Sequence, residues 1–125
     1  MVATEKMVKN LTENFKKDGV QVLQANCSGF DNPAPIQGFE PDVVGWNPEK
    51  LLYHIGIVAD SQTISSDLTK QKISTLSKLM MGKGPSEGER LPFIIGVTED
   101  ASNIADKKLE ETDVVSQGNT VKIIV

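Results

Sequence analysis

One stretch of the chain, Leu51 to Ala59, constrains the fold more than any other part of the sequence. It reads Leu-Leu-Tyr-His-Ile-Gly-Ile-Val-Ala and is almost wholly apolar. A strand with one wet face alternates apolar and polar side chains, whereas a strand covered on both faces stays apolar throughout. The stretch therefore predicts a central β-strand with other structure packed against each of its faces.

The flanking sequence supplies elements that can cover such a strand. Met7, Val8, Leu11 and Phe15 recur at helical spacing and predict an amphipathic helix over residues 4–18. Further helices are predicted over residues 66–81 and 99–110, and strands near 20–23, 39–46, 51–59, 91–97 and 121–125. The order α-β-β-β-α-β-α-β, with a hairpin before a strand–helix–strand crossover, predicts an α/β fold: a mixed β-sheet flanked by helices.

Length and charge limit the classes of function. The chain has 125 residues, which we expect to form a single domain spanning 1–125. Its formal net charge of −4 argues against tight non-specific nucleic-acid binding but leaves a local basic patch open. The apolar runs are too short to span a bilayer, so no membrane partner is expected. A single cysteine, Cys27, excludes an internal disulfide and favours a cytoplasmic location.

The hairpin carries a motif. Pro41-Asp42 opens its first strand, within the stretch Phe39 to Trp46, and Thr69-Lys70-Gln71 follows in the second predicted helix. In order and spacing, these residues resemble the restriction-endonuclease-like nuclease superfamily, whose signature is written PD-(D/E)XK. The similarity extends to the domains of Holliday-junction resolvases and tRNA endonucleases, and covers about residues 4–98. It implies a core of αβββαβ order.

The resemblance also assigns roles to positions, and this chain departs from them. Asp42 matches the first carboxylate of the family, Ile57 stands where the second acid belongs, and Ala59 stands where the lysine belongs. Gln71 matches a glutamine often found on the family's helix. Phosphodiester hydrolysis uses hard cations such as Mg²⁺, which take oxygen ligands, and isoleucine and alanine offer none. The resemblance thus implies a nuclease framework with a degenerate active site and no resident cofactor.

Polar groups elsewhere could restore a metal site. Glu40, Asp60 and Asp67 are candidates to join Asp42 as ligands, and Lys70, Glu5 and Glu13 are further candidates at the end of the sheet. Mg²⁺ is expected only under this alternative. Each of these groups is otherwise a solvated surface charge, and Asp42 has its own structural alternative, since an aspartate at a strand start can bond nearby backbone amides.

Three other features are weaker. His54 lies on the strand face opposite Ile57 and is more often a structural residue than a ligand at such a place; it is also the only histidine that could activate Cys27 as a nucleophile. Trp46, near the hairpin turn, is either a partner-binding anchor or plain packing. The Gly-rich segment 82–90 lacks the order of a phosphate-binding loop, which predicts a flexible connector.

The sequence leaves three hypotheses. The first is a catalytically degenerate nuclease-fold domain retained as a nucleic-acid-binding or structural module, acting as a homodimer or with another protein partner. The second is an active metal-dependent nuclease that uses migrated catalytic groups together with Asp42. The third is a small-molecule or regulatory domain on a similar scaffold.

Overall fold

The computed structural model describes residues 2–111 and 119–125. Its elements follow the predicted order: α1 (Val2–Lys17), β1 (Gln21–Ala25), β2 (Val43–Asn47), β3 (Leu52–Ala59), α2 (Asp67–Leu76), β4 (Phe93–Val97), a 3₁₀ turn (Glu99–Ala101), α3 (Ser102–Glu111) and β5 (Thr120–Ile124).

The five strands form one mixed sheet in the order β1-β2-β3-β4-β5. The pairs β1–β2 and β2–β3 are antiparallel, while the pairs β3–β4 and β4–β5 are parallel. The apolar stretch that begins at Leu51 therefore becomes the middle strand of the sheet, as its composition predicts. The α/β class, with a mixed sheet and flanking helices, is confirmed.

Two apolar clusters hold the helices on opposite sides of the sheet. Val8, Leu11 and Phe15 of α1 pack on one side, with Val43 of β2. A Cβ atom on Gly45 would lie 2.5 Å from Val20 Cγ1 and 2.9 Å from the Phe15 ring, so glycine at this position allows α1 its close approach. The second cluster lies under α2 and α3 and includes Ile55, Ile57, Ala59, Ile73, Leu76, Phe93, Ile95, Val97, Ala105 and Leu109.

An irregularity in β1 serves the α1 cluster. Val22 pairs with Gly45 and Gln24 with Val44, so Leu23 is an extra residue in the ladder. In a regular strand, Val22 and Ala25 would point to opposite faces. The bulge at Leu23 lets both of them reach the α1 cluster.

Most predicted boundaries lie within three residues of those in the structure, but two are wrong by four residues or more. β2 begins at Val43 and not at residue 39, because Gln37 and Gly38 adopt positive φ angles and close a local turn with an isolated Ile36–Phe39 bridge. Helix α2 ends at Leu76 and not at residue 81. Its last turns are replaced by pairing with the segment that enters β4, where the N–H of Leu91 donates to the carbonyl of Leu79 at 2.9 Å.

The described helices are too short or too polar to cross a bilayer.

Candidate functional site

Asp42 immediately precedes β2, at the point where the chain enters the sheet. Its N–H still donates to the carbonyl of Gly56 at 2.9 Å, which extends the β2–β3 ladder by one residue. Beyond that point, the Asp42 side chain replaces the backbone as the acceptor for β3. Its Oδ2 accepts the N–H of Val58 at 2.9 Å, and the side chain of Asn26 also bonds the carboxyl group. Asp42 thus satisfies a backbone donor on β3 that has lost its partner strand.

Burial dominates the electrostatics of this carboxyl group. Asp42 is only 8% exposed, and burial raises its pKa above the ordinary value of 3.8. The Val58 N–H, the Lys72 ammonium group and the Asn26 side chain favour the ionised form and oppose this rise. The carboxylate is held by neutral amides and one lysine.

Ile57 and Ala59 lie on the adjacent strand, at the positions where the nuclease resemblance expects an acid and a lysine. Because Val43 pairs with Gly56, Asp42 is across the ladder from Ile57. Ile57 and Ala59 are 1% and 2% exposed, and both belong to the cluster under α2. The three motif positions therefore converge at one place on the sheet, but two of them are sealed inside the core.

A small polar pocket opens beside Asp42. It has a volume of about 340 Å³ and is lined by Asn26, Gly38, Phe39, Glu40, Asp42, Leu68 and Lys72. Lys72 was not among the residues expected from sequence. It follows Leu68 by one helical turn, so helical spacing places both on the face of α2 that looks toward this pocket. Glu40, which precedes β2, is the one proposed substitute ligand that lines the pocket with Asp42.

The other candidate groups do not reach this pocket. Asp60 Oδ1 accepts the N–H groups of Gln62 and Thr63, both at 2.9 Å, and so closes the turn after β3. Glu5 accepts from Ser28 and lies on α1, across the sheet from the Ile57 side. The remaining candidates are exposed on the helices: Glu13, Asp67, Lys70 and Gln71.

Mg²⁺ does not fit the motif positions as they stand. The cation prefers several oxygen ligands, and the only motif oxygens are those of Asp42, which already accept backbone and amide donors. Within residues 2–111 and 119–125, no three His, Cys, Asp or Glu side chains are grouped closely enough to hold a metal ion.

His54 lies on β3 and contacts Asn47, the residue that begins the hairpin turn. Asn47 Oδ1 accepts the N–H groups of Glu49 and Lys50, both at 3.0 Å, so its amide nitrogen faces His54 Nε2 at 3.3 Å as a donor. Nε2 must then accept, which requires a neutral ring. Burial, followed by the charge of Lys50, lowers the pKa of His54 below 6.5 and agrees with that state.

Cys27 is half-buried and lies near the start of α1, where it lines a shallow pocket with Glu5, Lys6 and Lys9. The ring of His54 packs edge-on against Phe15, near the other end of α1. The cysteine–histidine pair that a nucleophile needs is therefore not formed. Burial also raises the pKa of the Cys27 thiol, which disfavours the reactive thiolate.

A second depression, hereafter the turn-end groove, lies at the opposite end of the hairpin. It has a volume of about 670 Å³ and is lined by Trp46, Leu51, Tyr53, Met80, Met81, Gly82, Lys83, Gly84, Pro85 and Leu91. Trp46 and Tyr53 are cross-strand neighbours whose rings meet edge to face, with centroids 4.9 Å apart. Trp46 is thus part of a partly open aromatic surface.

Comparison of this chain with models of known protein families, with curated proteins and with solved structures yields no match.

Proposed function

We propose that this chain is a non-catalytic domain of the restriction-endonuclease-like fold, retained as a binding or structural module. The observation that carries the proposal is the state of the three motif positions. Asp42 bonds the N–H of Val58, while Ile57 and Ala59 are built into the core under α2. In this interpretation, the old catalytic centre has become part of the scaffold.

Energetics support a structural use of these positions. Fully burying an isoleucine side chain contributes about 1.5–3 kcal/mol, whereas burying an uncompensated charge is strongly unfavourable. A nuclease accepts that cost because a bound cation compensates its acids. Here the same strand positions stabilise the fold, and the remaining carboxylate replaces a lost backbone acceptor.

The first test is direct. We expect no cleavage of single-stranded, double-stranded or branched DNA, or of RNA, in Mg²⁺ or Mn²⁺ beyond that seen with Asp42→Ala. Binding measured in parallel over a range of salt concentrations separates a nucleic-acid reader, whose affinity falls steeply with salt, from a protein-binding module. Metal-dependent cleavage that disappears in Asp42→Ala would refute the proposal.

A second test asks whether the framework is a nuclease framework. The double variant Ile57→Glu with Ala59→Lys restores the family pattern, and Mn²⁺ binding followed by paramagnetic resonance should appear or strengthen. The matched control is Ile57→Gln with Ala59→Met, which keeps similar side-chain sizes without the charges. Equal metal affinity in the two folded variants would count against the nuclease relationship itself.

Lys72 gives the active-nuclease alternative its one specific support. Together with Asp42 and Glu40, it brings a cation and two carboxyl groups to one small pocket. If migrated groups catalyse hydrolysis there, Lys72→Met and Glu40→Gln should each abolish a metal-dependent activity of the unmodified chain. Lys70→Met, on an exposed part of the same helix, is the control and should change nothing.

We further propose that the partner of this module is a second copy of the chain, paired through β5. The two edges of the sheet differ. Along β1, the Leu23 bulge breaks the edge, and Asp31 of the following loop accepts the N–H of Ala25 at 3.0 Å. Bulges and covering loops are standard protection against unwanted strand pairing.

Among residues 2–111 and 119–125, no bulge or covering loop of this kind lies along the β5 edge. β5 pairs regularly with β4, and no other described strand pairs with it. A free lysine on an edge strand discourages pairing with another chain, but Lys122 of β5 is bonded to α3. Its Nζ lies 2.7 Å from Asp106 Oδ1 and donates to Ser102 Oγ at 2.7 Å. Val121 and Ile124 are 54% and 53% exposed beside it.

Sedimentation equilibrium tests the dimer. We expect a concentration-dependent dimer that Ile124→Lys weakens, because a charge would then lie on the shared edge, while Leu23→Lys on the β1 edge leaves it unchanged. A monomer at all concentrations would refute this partner while leaving the non-catalytic assignment intact. We also propose a cytoplasmic location, since the one cysteine cannot form an internal disulfide.

A further inference from the structure

The turn-end groove concentrates apolar surface that the fold does not need to expose. Of the seven large apolar side chains exposed in the described part of the chain, three line this groove: Leu51, Tyr53 and Met80. Isolated exposed apolar residues are ordinary, but a concave cluster of them is typical of a binding site. The volume of about 670 Å³ also falls within the range of small-molecule pockets, about 300–1,000 Å³.

Hydrogen bonds join the two walls of the groove. One wall is the β2–β3 hairpin, and the other is the segment 79–91 that replaces the predicted end of α2. The N–H of Met81 donates to Glu89 and the N–H of Gly88 donates to Met81, both at 2.9 Å, so this segment is internally paired. Ser86 Oγ then donates to the carbonyl of Lys50 at 2.7 Å and ties the two walls together. The Gly-rich segment, predicted as a flexible connector, is thus hydrogen-bonded within itself and to the hairpin in the structure.

Leu51 gives a second sign that the groove is more than a packing defect. Its φ angle is +59°, in the left-handed region where a branched side chain is strained and glycine or asparagine is favoured. The side chain is not buried in compensation, since it lines the groove and is exposed. The fold would be easier to make with glycine at this position, so the leucine is better explained by what its side chain contacts in the groove.

The chemistry of the lining defines the ligand. Trp46 and Tyr53 present an aromatic surface, and Met80 and Met81 add adaptable thioethers that pack well against rings. Lys83 is the single charged side chain among the described lining residues. We propose that the turn-end groove binds a small, flat, mainly apolar ligand that carries one anionic group, with its ring system on Trp46 and Tyr53 and its anion toward Lys83.

Trp46 is the only tryptophan of the chain, so its fluorescence reports on this groove alone. We would titrate the protein with 8-anilinonaphthalene-1-sulfonate, a flat aromatic sulfonate, and follow quenching of Trp46 with energy transfer to the probe. We expect saturable binding of one probe per chain. The uncharged analogue N-phenyl-1-naphthylamine should bind about two- to fivefold more weakly, since an exposed ion pair contributes little.

Variants distinguish probe binding in the groove from non-specific binding to exposed apolar residues. Leu51→Gly removes one wall and relieves the strained φ, so it should weaken probe binding about tenfold or more without lowering the melting temperature. Tyr53→Ala should weaken binding similarly, and Lys83→Gln should lower the affinity for the sulfonate to that for the uncharged analogue. Leu23→Ser removes an exposed leucine at the β1 edge and is the control that should bind normally.

Two results would overturn the proposal. One is probe binding that does not saturate, or probe binding by Leu51→Gly and Tyr53→Ala that is as strong as binding by the control Leu23→Ser. The other is a blue shift of Trp46 fluorescence that grows with protein concentration in the absence of probe and blocks probe binding, because that would show a second copy of the chain in the groove. These readouts do not depend on nuclease activity or on the β5 edge, so they stand apart from the proposed function.

Discussion

The two ends of the β2–β3 hairpin are built from the same two strands and have opposite surroundings. At the Asp42 end, α2 covers the sheet, apolar side chains fill the motif positions, and the one carboxyl group bonds a backbone N–H. At the turn end, the strands extend beyond α2 and present Trp46 and Tyr53 to a groove. The difference shows that the elements packed over each end, and not the two strands alone, decide whether apolar side chains there are buried or open.

The largest expected contrast between the two ends comes from placing the same charge at each end of β3. Ile57→Glu buries an uncompensated carboxylate and should lower the free energy of unfolding by about 3–5 kcal/mol. Tyr53 lies four residues before Ile57 on the same face of β3 and is 40% exposed. Tyr53→Glu should therefore change the free energy of unfolding by less than about 1 kcal/mol. Urea unfolding followed by Trp46 fluorescence measures both; comparable losses would mean that the turn end is as closed as the Asp42 end.

A substitution with a smaller expected effect tests whether, near the turn, only the groove side of the sheet is open. Gly45→Ala lies near the turn but faces α1, where its Cβ atom would meet Val20 and Phe15 at 2.5 and 2.9 Å. We expect a loss of about 1–3 kcal/mol from overpacking. Gly82→Ala, on the rim of the groove with nothing within 4 Å, is the matched control and should stay within about 0.5 kcal/mol of the unmodified protein.

The next largest effect is expected from replacing the carboxyl group of Asp42. Asp42→Ala leaves the N–H of Val58 buried without its acceptor, and we expect a loss of about 1–2 kcal/mol in thermal or urea unfolding. Asp42→Asn keeps an oxygen that can accept the same bond and should lose clearly less. If asparagine is as harmful as alanine, the charge of Asp42 is needed, and the pocket beside it has a role beyond the scaffold.

The smallest expected effects concern pH, and they have opposite signs at the two ends. The pKa of Asp42 is raised in the folded protein, so the folded state holds its proton more tightly, and stability falls as pH rises from 3.8 to the folded pKa. The pKa of His54 is lowered, so the unfolded state protonates first, and stability falls as pH drops below 6.5.

Unfolding measured from pH 3 to 8 should therefore separate two variants. Asp42→Asn should flatten only the acidic limb that begins near 3.8, and His54→Gln only the limb below 6.5. A variant that flattened the limb assigned to the other end would show that the two ends are coupled.

Sequence patterns predicted the sheet better than its surroundings. The apolar run after Leu51 requires cover on both faces, and that requirement fixes a middle strand with helices on each side. The end of α2 was not predictable in the same way, since Met80 continues the helical stripe of Ile73 and Leu76 and yet lies in a loop, 55% exposed. Backbone pairing with residues near Arg90, distant along the chain, overrides that local pattern.

The candidate sites show the same division. That Asp42, Ile57 and Ala59 would converge follows from strand alternation and hairpin register, and they do converge. Lys72 is not predicted from the motif, because the motif positions on the helix are Lys70 and Gln71; only its helical spacing from Leu68 places it toward the pocket. The turn-end groove depends on a tertiary bond from Ser86 to Lys50 that no local pattern encodes.

The bulge at Leu23 has a consequence for how far any assembly can grow. A sheet with two open edges can pair with a copy at each edge and continue into a fibre. A sheet with one blocked edge can pair with only one other copy. If β5 joins its counterpart in a second copy, the combined sheet ends in a β1 edge on each side, and both are broken by the bulge. Assembly then terminates at two chains, so the bulge and the Asp31 loop together would keep an open-edged domain from polymerising.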